Sequence, residues 1–306
     1  MRRAALQFGA SLVISEMVAS DDFVRGEAES RIRAEGEGVY PHVVQLAGRD
    51  PHWMAEAARL AEASGADAID INMGCPAKRV TGGLAGSALM RDLDLAIGII
   101  RATVAAVSVP VTLKVRLGWD RASLNAPELA QRAEAEGIAL LAVHGRTRDQ
   151  FYKGEADWRA IRRVKEAVAI PVVANGDCSS FGDAAAMLAT SGADAVMVGR
   201  SAVGRPWFVG QVAQFLATGQ AGALPRADRR RDAALTHYRT LLALFGREQG
   251  LRHARKHLAA YAEWAAADGA LSAAALRMPL VTSENPAEVE RLLGWVFDYV
   301  PLREAA

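Results

Sequence analysis

Short apolar runs rich in β-branched residues alternate with helix-like patterns along the first two thirds of the chain. The runs are nearly continuous in apolar character, which predicts strands covered on both faces, as in a parallel sheet of an α/β protein. Several of the helical stretches between them end at a glycine suited to a left-handed cap, as at Gly65 and Gly192. Seven strands are predicted, at Leu12–Ser15, His42–Leu46, Ala68–Asn72, Val109–Arg116, Ala139–His144, Pro171–Asn175 and Ala195–Gly199.

The spacing of these strand–helix units favours a (β/α)8 barrel over an open doubly wound sheet. The units recur at roughly 25–40 residues, and no Gly-x-Gly-x-x-Gly turn follows the first strand. A closed barrel of this type needs eight strands, whereas residues 1–9 read as the second half of an amphipathic helix. We therefore predict a TIM-type (β/α)8 barrel whose first strand is missing from this chain, and we expect a misassigned start codon rather than a true truncation.

A change of pattern after residue 218 predicts a second domain. Residues 219–227 are small and flexible in character, which is typical of a linker. Beyond them the apolar residues are spaced by three and four positions, which predicts helices only. We predict a catalytic barrel domain at 1–218, a linker at 219–227 and a small helical bundle at 228–306.

Composition is that of an ordinary globular protein. The chain has 306 residues, of which 51% are hydrophobic and 23% are charged. Its apolar runs are shorter than the roughly 18 residues that a membrane span needs. Cys75 and Cys178 do not make a disulfide framework, so we expect a cytoplasmic protein.

The formal net charge of +1 conceals a basic segment near the C-terminal end. Between Arg226 and His257 there are nine Arg and Lys residues against three acidic residues. Such a segment suits a polyanionic partner, and a solvated helix face explains it equally well.

Hydrogen-bonding or charged side chains stand where the predicted strands end. In a (β/α)8 barrel the active site lies at this end of the strands. Each of these residues alone has a structural explanation, such as a helix cap or a bond to a neighbouring carbonyl. Their common placement predicts a site. The residues are Glu16, Gln45, Asn72, Cys75, Lys114, Arg116, His144, Arg146, Asn175, Asp177, Gly199 and Arg200.

The last two strand ends have the character of a phosphate site. Asn175-Gly176-Asp177 and Gly199-Arg200-Ser201 offer backbone N–H groups and a guanidinium. Lys114, inside the predicted barrel mouth, needs an anionic partner to remain charged. A phosphorylated cofactor with an electron-rich ring meets both requirements, and flavin mononucleotide (FMN) fits.

Cys75 lies between Gly74 and Pro76, in a loop rather than in mid-strand, where a buried hydrophobe belongs. A thiol in such a loop can act as a nucleophile, a metal ligand or a proton donor. No second cysteine or histidine stands at metal-binding spacing, so we expect no metal. Proton donation suits a reduction in which a hydride and a proton add to opposite faces of a double bond. Cys178 lacks this turn, and we interpret it as structural.

Five segments carry a resemblance to a known family: "DINMGCPAKRVTGGLAGSALMRD", "VTLKVRLGW", "VHGRTRDQFYKGEADW", "VVANGDCSS" and "VMVGRSAVGRPWF". From about Phe8 to Asn285 the chain resembles the tRNA-dihydrouridine synthases, most closely the bacterial B type. The resemblance implies an FMN-bearing barrel followed by a helical tRNA-binding domain. Members of that family open with a strand and a flavin-facing loop, and this chain begins after them.

The resemblance also implies roles for individual residues. Cys75 matches the proton donor of the family, and Arg146 matches a position near flavin and substrate. The segment "LRHARKHLAAYAEW" is similar to the family's basic helix and implies tRNA contacts by Arg252, Arg255 and Lys256. The positions that match flavin-binding residues are Gln45, Asn72, Lys114, His144, Asn175, Gly176, Asp177, Gly199 and Arg200.

The implied activity is the reduction of specific tRNA uridines to 5,6-dihydrouridine by an FMN-dependent oxidoreductase. NADPH, or NADH, would reduce the flavin, hydride would pass to C6 of the uracil, and Cys75 would protonate C5. We expect a monomer. One alternative keeps the flavin but takes a small free pyrimidine as substrate, and another is an inactive RNA-binding remnant.

Overall fold

The structure is a computed structural model that describes residues 1–270 and 272–297. These residues pack into two compact units. The first contains Ser11–Gly199 together with Arg2, and the second contains Met1, Arg3–Ala10 and the residues from Arg200 onward. The predicted domain boundaries at 219–227 stay a prediction, although residues 200–218 pack with the second unit.

The first unit is built on a parallel sheet. Its strands follow one another in chain order, each paired with the next in parallel. The strands are β1 Val18–Ala19, β2 Val43–Ala47, β3 Ala68–Met73, β4 Val111–Arg116, β5 Leu140–His144, β6 Val172–Asn175 and β7 Ala195–Met197. The described residues thus form seven strands of a (β/α) barrel-type arrangement, which confirms the predicted α/β class.

The predicted first strand, Leu12–Ser15, is wrong. The structure has a single bridge between Ile14 and Val43 there, and the strand itself is β1. The register shifts by one residue between this bridge and the pairing of Val18 with Leu46. The hydroxyl of Ser15 accepts the backbone N–H of Gln45 at 2.8 Å, in the place of a backbone carbonyl. The ladder is therefore interrupted by a side chain, as at a bulge.

The helices are α1 Arg2–Gln7, α2 Ser20–Val24, α3 Ala28–Ala34, α4 Pro51–Ala63, α5 Lys78–Thr81, α6 Leu93–Val104, α7 Ala126–Ala135, α8 Trp158–Ala167, α9 Phe181–Ser191, α10 Trp207–Thr218, α11 Ala227–Ala267, α12 Ser272–Thr282 and α13 Pro286–Val296. Short 3-10 helices lie at Gly86–Arg91 and Arg200–Ala202. Side-chain caps begin several of the helices that follow strands. Asp50, Asp92 and Asp157 accept backbone N–H groups at the starts of α4, α6 and α8.

The two faces of the sheet differ in chemistry because side chains alternate along a strand. On one face Ile69, Ile71, Leu113 and Val143 are fully buried. The other face carries a polar set that shares register across β2 to β6: Gln45, Asp70, Asn72, Thr112, Lys114, Arg116, His144 and Asn175. Period-two placement therefore concentrates the polar side chains of the first unit on one face.

The second unit is helical, as predicted. Helix α11 is interrupted at Gly246, where φ is 72° and ψ is 177°. The chain reverses direction there, as two contacts show. The ring of His237 lies 4.6 Å from that of His257, and Gly250 packs against Leu241. Helices α11, α12 and α13 share a core that includes Tyr238 and other buried residues, among them Leu258, Tyr261, Leu280, Leu293 and Val296. The end of the predicted bundle, residues 298–306, lies outside the described residues.

No helix within the described part of the chain combines the length and the apolar character needed to cross a membrane.

Candidate functional site

The loop that carries Cys75 is fixed at its main chain on both sides. Asn72, at the end of β3, accepts the N–H groups of Gly74 at 3.1 Å and Cys75 at 2.9 Å through its Oδ1 atom. The carbonyl of Cys75 accepts both the N–H of Ser87 at 3.0 Å and its hydroxyl at 2.8 Å. Cys75 itself is a half-buried free cysteine. The thiol is therefore partly accessible on a backbone that is held in place.

Arg116, the last residue of β4, ties this loop to the loop that follows β5. Its side chain is 2% exposed. The Nε atom donates to the carbonyl of Gly74 at 2.8 Å, and Nη1 donates to the carbonyls of Thr147 at 2.8 Å and Phe151 at 2.9 Å. Burial lowers the pKa of Arg116 to about 10, while the nearby Tyr152 and Cys75 act in the opposite direction.

A polar network lies on the same face beneath the Cys75 loop. Asp70 accepts the Thr112 hydroxyl at 2.5 Å and the Gln45 Nε2 group at 2.6 Å. Gln45 in turn accepts from Asn72 Nδ2 through Oε1 at 2.8 Å. Burial raises the pKa of Asp70, and the charge of Lys114 opposes that shift. Gln45 and Asn72, both predicted site residues, are thus brought together.

Lys114 is the register partner of Asn72. Burial and the charge of Arg116 lower the pKa of its ammonium to about 8, while Asp70 acts in the opposite direction. An anionic ligand would raise this pKa, because a nearby negative charge favours the charged ammonium.

Arg146 and Asp177 form an ion pair at the ends of β5 and β6. Arg146 is 2% exposed and reaches both Asp177 oxygens, at 2.8 Å and 2.6 Å. It also donates to the carbonyls of Lys153 at 3.1 Å and Gly154 at 2.5 Å. The N–H of Ala156 donates to Asp177 at 2.8 Å. The guanidinium is therefore engaged with its own chain, and Arg146 holds the loop after β5.

The end of β6 brings His144, Asn175 and Gly176 together. His144 and Asn175 are register partners, and Asn175 Nδ2 donates to the carbonyl of Met197 in β7 at 2.8 Å. Gly176 has a φ of 118°, and a Cβ there would lie 2.7 Å from Cβ of Ala156. Glycine is thus required at this position for a steric reason.

The three remaining predicted strand-end residues are exposed. Gly199 ends the first unit, and a Cβ there would meet open space. Arg200 begins the second unit and is exposed. Glu16 is exposed and faces Arg33 at 3.8 Å.

Three cations of the second unit make one exposed surface, which we term the basic face: Arg252, Arg255 and Lys256. Their spacing of three and four residues places them on one side of α11. None of the three forms an ion pair with the described residues, in contrast to Arg239, which binds Glu290, and Arg277, which binds Glu263. The basic face thus has uncompensated positive charge.

Sequence reasoning assigned no role to Asp70 or Thr112, and it named Arg116 only as a strand-end residue. The signal that could have found them is the period of two. Asp70 precedes Asn72 by two positions and Arg116 follows Lys114 by two, so each shares the face of a residue already chosen.

Known proteins resemble this chain over most of its length. A family model described as dihydrouridine synthase matches residues 1–290. The chain is 53% identical over 307 residues to a protein named probable tRNA-dihydrouridine synthase of Rhizobium leguminosarum bv. phaseoli, covering 100% of this chain and 94% of the relative. It is 52% identical over 258 residues to tRNA-dihydrouridine synthase B of Xanthomonas axonopodis pv. citri (strain 306), covering 84% of this chain and 78% of the relative.

Among solved structures, the fold is similar to that of histamine dehydrogenase from Rhizobium sp. 4-9. The TM-score is 0.50 at 14% identity, and the match covers 79% of this chain but only 45% of that one. This likeness supports the fold alone.

Proposed function

The chain belongs to the dihydrouridine synthase family, and from that premise we propose that it reduces the C5–C6 double bond of tRNA uridines with bound FMN and with Cys75 as the proton donor. As a member of the family it is an oxidoreductase that acts on tRNA uridines. The observation that carries the proposed role of Cys75 is its fixed loop, which stands at the end of the face that bears Lys114.

The residues on the polar face fit FMN by their chemistry. FMN offers a flavin ring with carbonyl and N–H groups, and a phosphate. Lys114 supplies a partly buried cation, and Gln45 and Asn72 supply amides on the same face. His144, Asn175, Gly176, Asp177, Gly199 and Arg200 stay proposed FMN contacts. Bound FMN, once reduced by NADPH, would supply the hydride that adds to C6 of the uracil.

In this proposal Cys75 transfers the proton of its Sγ atom to C5 of the uracil. The thiolate left behind would be stabilised by the guanidinium of Arg116, whose pKa is already sensitive to the neighbouring thiol. Asn72, Arg116 and Ser87 hold the main chain of the loop, so the thiol keeps its place while the proton moves. Arg146 would act through the loop that it holds with Asp177 rather than as a direct contact to RNA.

The basic face is the proposed contact to tRNA phosphates. Arg252, Arg255 and Lys256 are exposed and form no ion pair with the described residues, which suits a polyanion. A uridine must leave its stack to reach a thiol in a loop, and phosphate contacts offset that cost of a few kcal/mol. We further propose NADPH as the reductant, a monomeric state and a cytoplasmic location.

The proposal is tested by incubating the purified protein with FMN, NADPH and unmodified tRNA, and by measuring dihydrouridine in nuclease digests by mass spectrometry. The proposal expects nucleosides heavier than uridine by two hydrogen atoms, with free uracil and free uridine unreduced under the same conditions. Reduction of the free pyrimidines alone would support the small-molecule alternative. Salt-dependent tRNA binding with neither flavin retention nor product would support an inactive remnant. A parallel run with NADH tests the reductant.

A further inference from the structure

Asp70 is a buried carboxylate that the proposed chemistry does not use. It is 1% exposed and lies on β3, two residues before Asn72 on the same face. Its two oxygens accept one hydrogen bond each, from Thr112 and from Gln45. Nothing in the reduction itself requires a second acid at this depth, so its place in the network calls for another explanation.

The network has a direction that runs from Asp70 to the Cys75 loop. An ionised carboxylate only accepts hydrogen bonds, so Gln45 must present its NH2 group to Asp70. That choice turns Oε1 of Gln45 toward Asn72, which must then present its own NH2 group to Gln45. The carbonyl oxygen of Asn72 is left facing the loop.

The other end of the network needs an acceptor. The N–H groups of Gly74 and Cys75 both point at Asn72, at 3.1 Å and 2.9 Å. If both amides were inverted, the NH2 group of Asn72 would face these two donors, and the loop would lose both bonds. Both ends of the chain of contacts therefore demand one orientation of the two amides.

We propose that Asp70 is a positioning residue that sets the amide orientation of Gln45 and Asn72 and thereby holds the Cys75 loop. Its kinetic consequence rests on the proposed function, whereas its effect on the loop does not. A carboxamide at position 70 could either accept from or donate to Gln45, so it would no longer select between the two orientations. Lys114, the register partner of Asn72, supplies the countercharge that favours the ionised form of Asp70.

The test is a set of variants that reverses the direction of the network and then restores consistency. Asp70→Asn removes the enforced acceptor. Asn72→Asp removes the NH2 group that donates to Oε1 of Gln45. The amide of Gln45 then lies between two carboxylates, at positions 70 and 72, and can donate to only one of them. In the double variant the new carboxamide at position 70 can donate to Gln45, while the new carboxylate at position 72 accepts from Gln45 and still accepts both loop N–H groups. Thr112→Val is the matched control, because it removes a bond to Asp70 but leaves the contact with Gln45.

The readout is the rate at which iodoacetamide alkylates Cys75 in the folded protein without cofactor, measured by peptide mass spectrometry against the buried Cys178 as internal reference. We expect each single substitution at 70 and 72 to raise the Cys75 rate about tenfold. Asp70→Asn lets the amide of Asn72 turn away from the loop N–H groups, and Asn72→Asp sets a carboxylate against Oε1 of Gln45, which displaces it from those groups. The double variant and Thr112→Val should stay within about twofold of the unaltered protein. With tRNA, kcat should fall in Asp70→Asn and stay near that of the unaltered protein in Thr112→Val, while KM changes little in both.

The proposal is overturned if Asp70→Asn and Thr112→Val alkylate at the same rate, or if the double variant is no closer to the unaltered protein than either single variant. Should Asp70→Asn fail to fold, the comparison of Asn72→Asp with the double variant decides in the same way. Because alkylation needs neither flavin nor tRNA, absence of dihydrouridine synthesis with the expected alkylation order would refute the proposed function and leave the role of Asp70 standing.

Discussion

Replacing Arg116 by methionine should loosen two loops at once. The guanidinium makes three hydrogen bonds, to the carbonyls of Gly74, Thr147 and Phe151. Each bond from a charged donor contributes roughly 1.5–3 kcal/mol. Part of that is offset, because the buried guanidinium is itself poorly solvated, as its lowered pKa indicates. Methionine keeps most of the apolar stem, so we expect a net loss of about 3 kcal/mol.

That loss should appear as a fall of about 6–12 °C in the thermal midpoint of the unit that contains the sheet. The assay is thermal unfolding followed by circular dichroism, together with hydrogen exchange of the segments at 74–77 and 145–157. Arg116→Lys should recover only part of the loss, because one ammonium cannot span three carbonyls. Arg132→Met is the control, since Arg132 lies in an exposed ion pair with Asp94 and should leave the midpoint unchanged.

The three hydrogen bonds of Arg116 do not hold the two loops if Arg116→Met has the same thermal midpoint as the unaltered protein and both segments exchange at unaltered rates. A midpoint that falls equally in the Arg132→Met control would also contradict this role, because the loss would then not come from the three buried bonds.

Three further predictions concern charge. FMN affinity should fall as pH rises above about 8, where Lys114 loses its proton, and Lys114→Met should abolish that dependence in fluorescence titrations. Burial lowers the pKa of His257 to about 3, so the unfolded state binds this proton first as the pH falls. His257 should therefore lower the free energy of unfolding of the helical unit by about 1.4 kcal/mol per pH unit below 6.5, measured in denaturant melts as the difference from His257→Phe. Glutamine at all three positions of the basic face should reduce the salt slope of tRNA binding by about three in filter binding, whereas Arg277→Gln should not.

Much of the fold could be predicted because the strands of the first unit are buried and their sequences are continuously apolar. Six of the seven predicted strands correspond to β2–β7. The first predicted strand, Leu12–Ser15, is absent, although the run is apolar enough for a strand. The Ser15 hydroxyl accepts the amide N–H of Gln45, and the register shifts there. A side chain that competes with the backbone for one N–H leaves no periodic signal in the sequence.

The candidate site divides in the same way. The residue types at strand ends could be predicted, since a barrel-type sheet brings those ends together. The contacts among these residues could not be predicted. The pairing of Arg146 with Asp177 and of Gln45 with Asp70 depends on strand register and on loop conformation. Arg146 donates to the chain's own carbonyls and holds the loop after β5, and its place near the substrate stays a prediction.

The thiol of Cys75 is the proposed proton donor to the uracil. The most direct measurement is a single-turnover experiment in which flavin-loaded, prereduced protein is mixed anaerobically with unmodified tRNA and dihydrouridine is quantified over time. The account predicts that Cys75→Ala retains flavin and binds tRNA but loses product formation by about 100-fold or more, while Cys178→Ala, at a buried thiol outside the loop, forms product at the unaltered rate. Equal rates for Cys75→Ala and the unaltered protein would contradict the account.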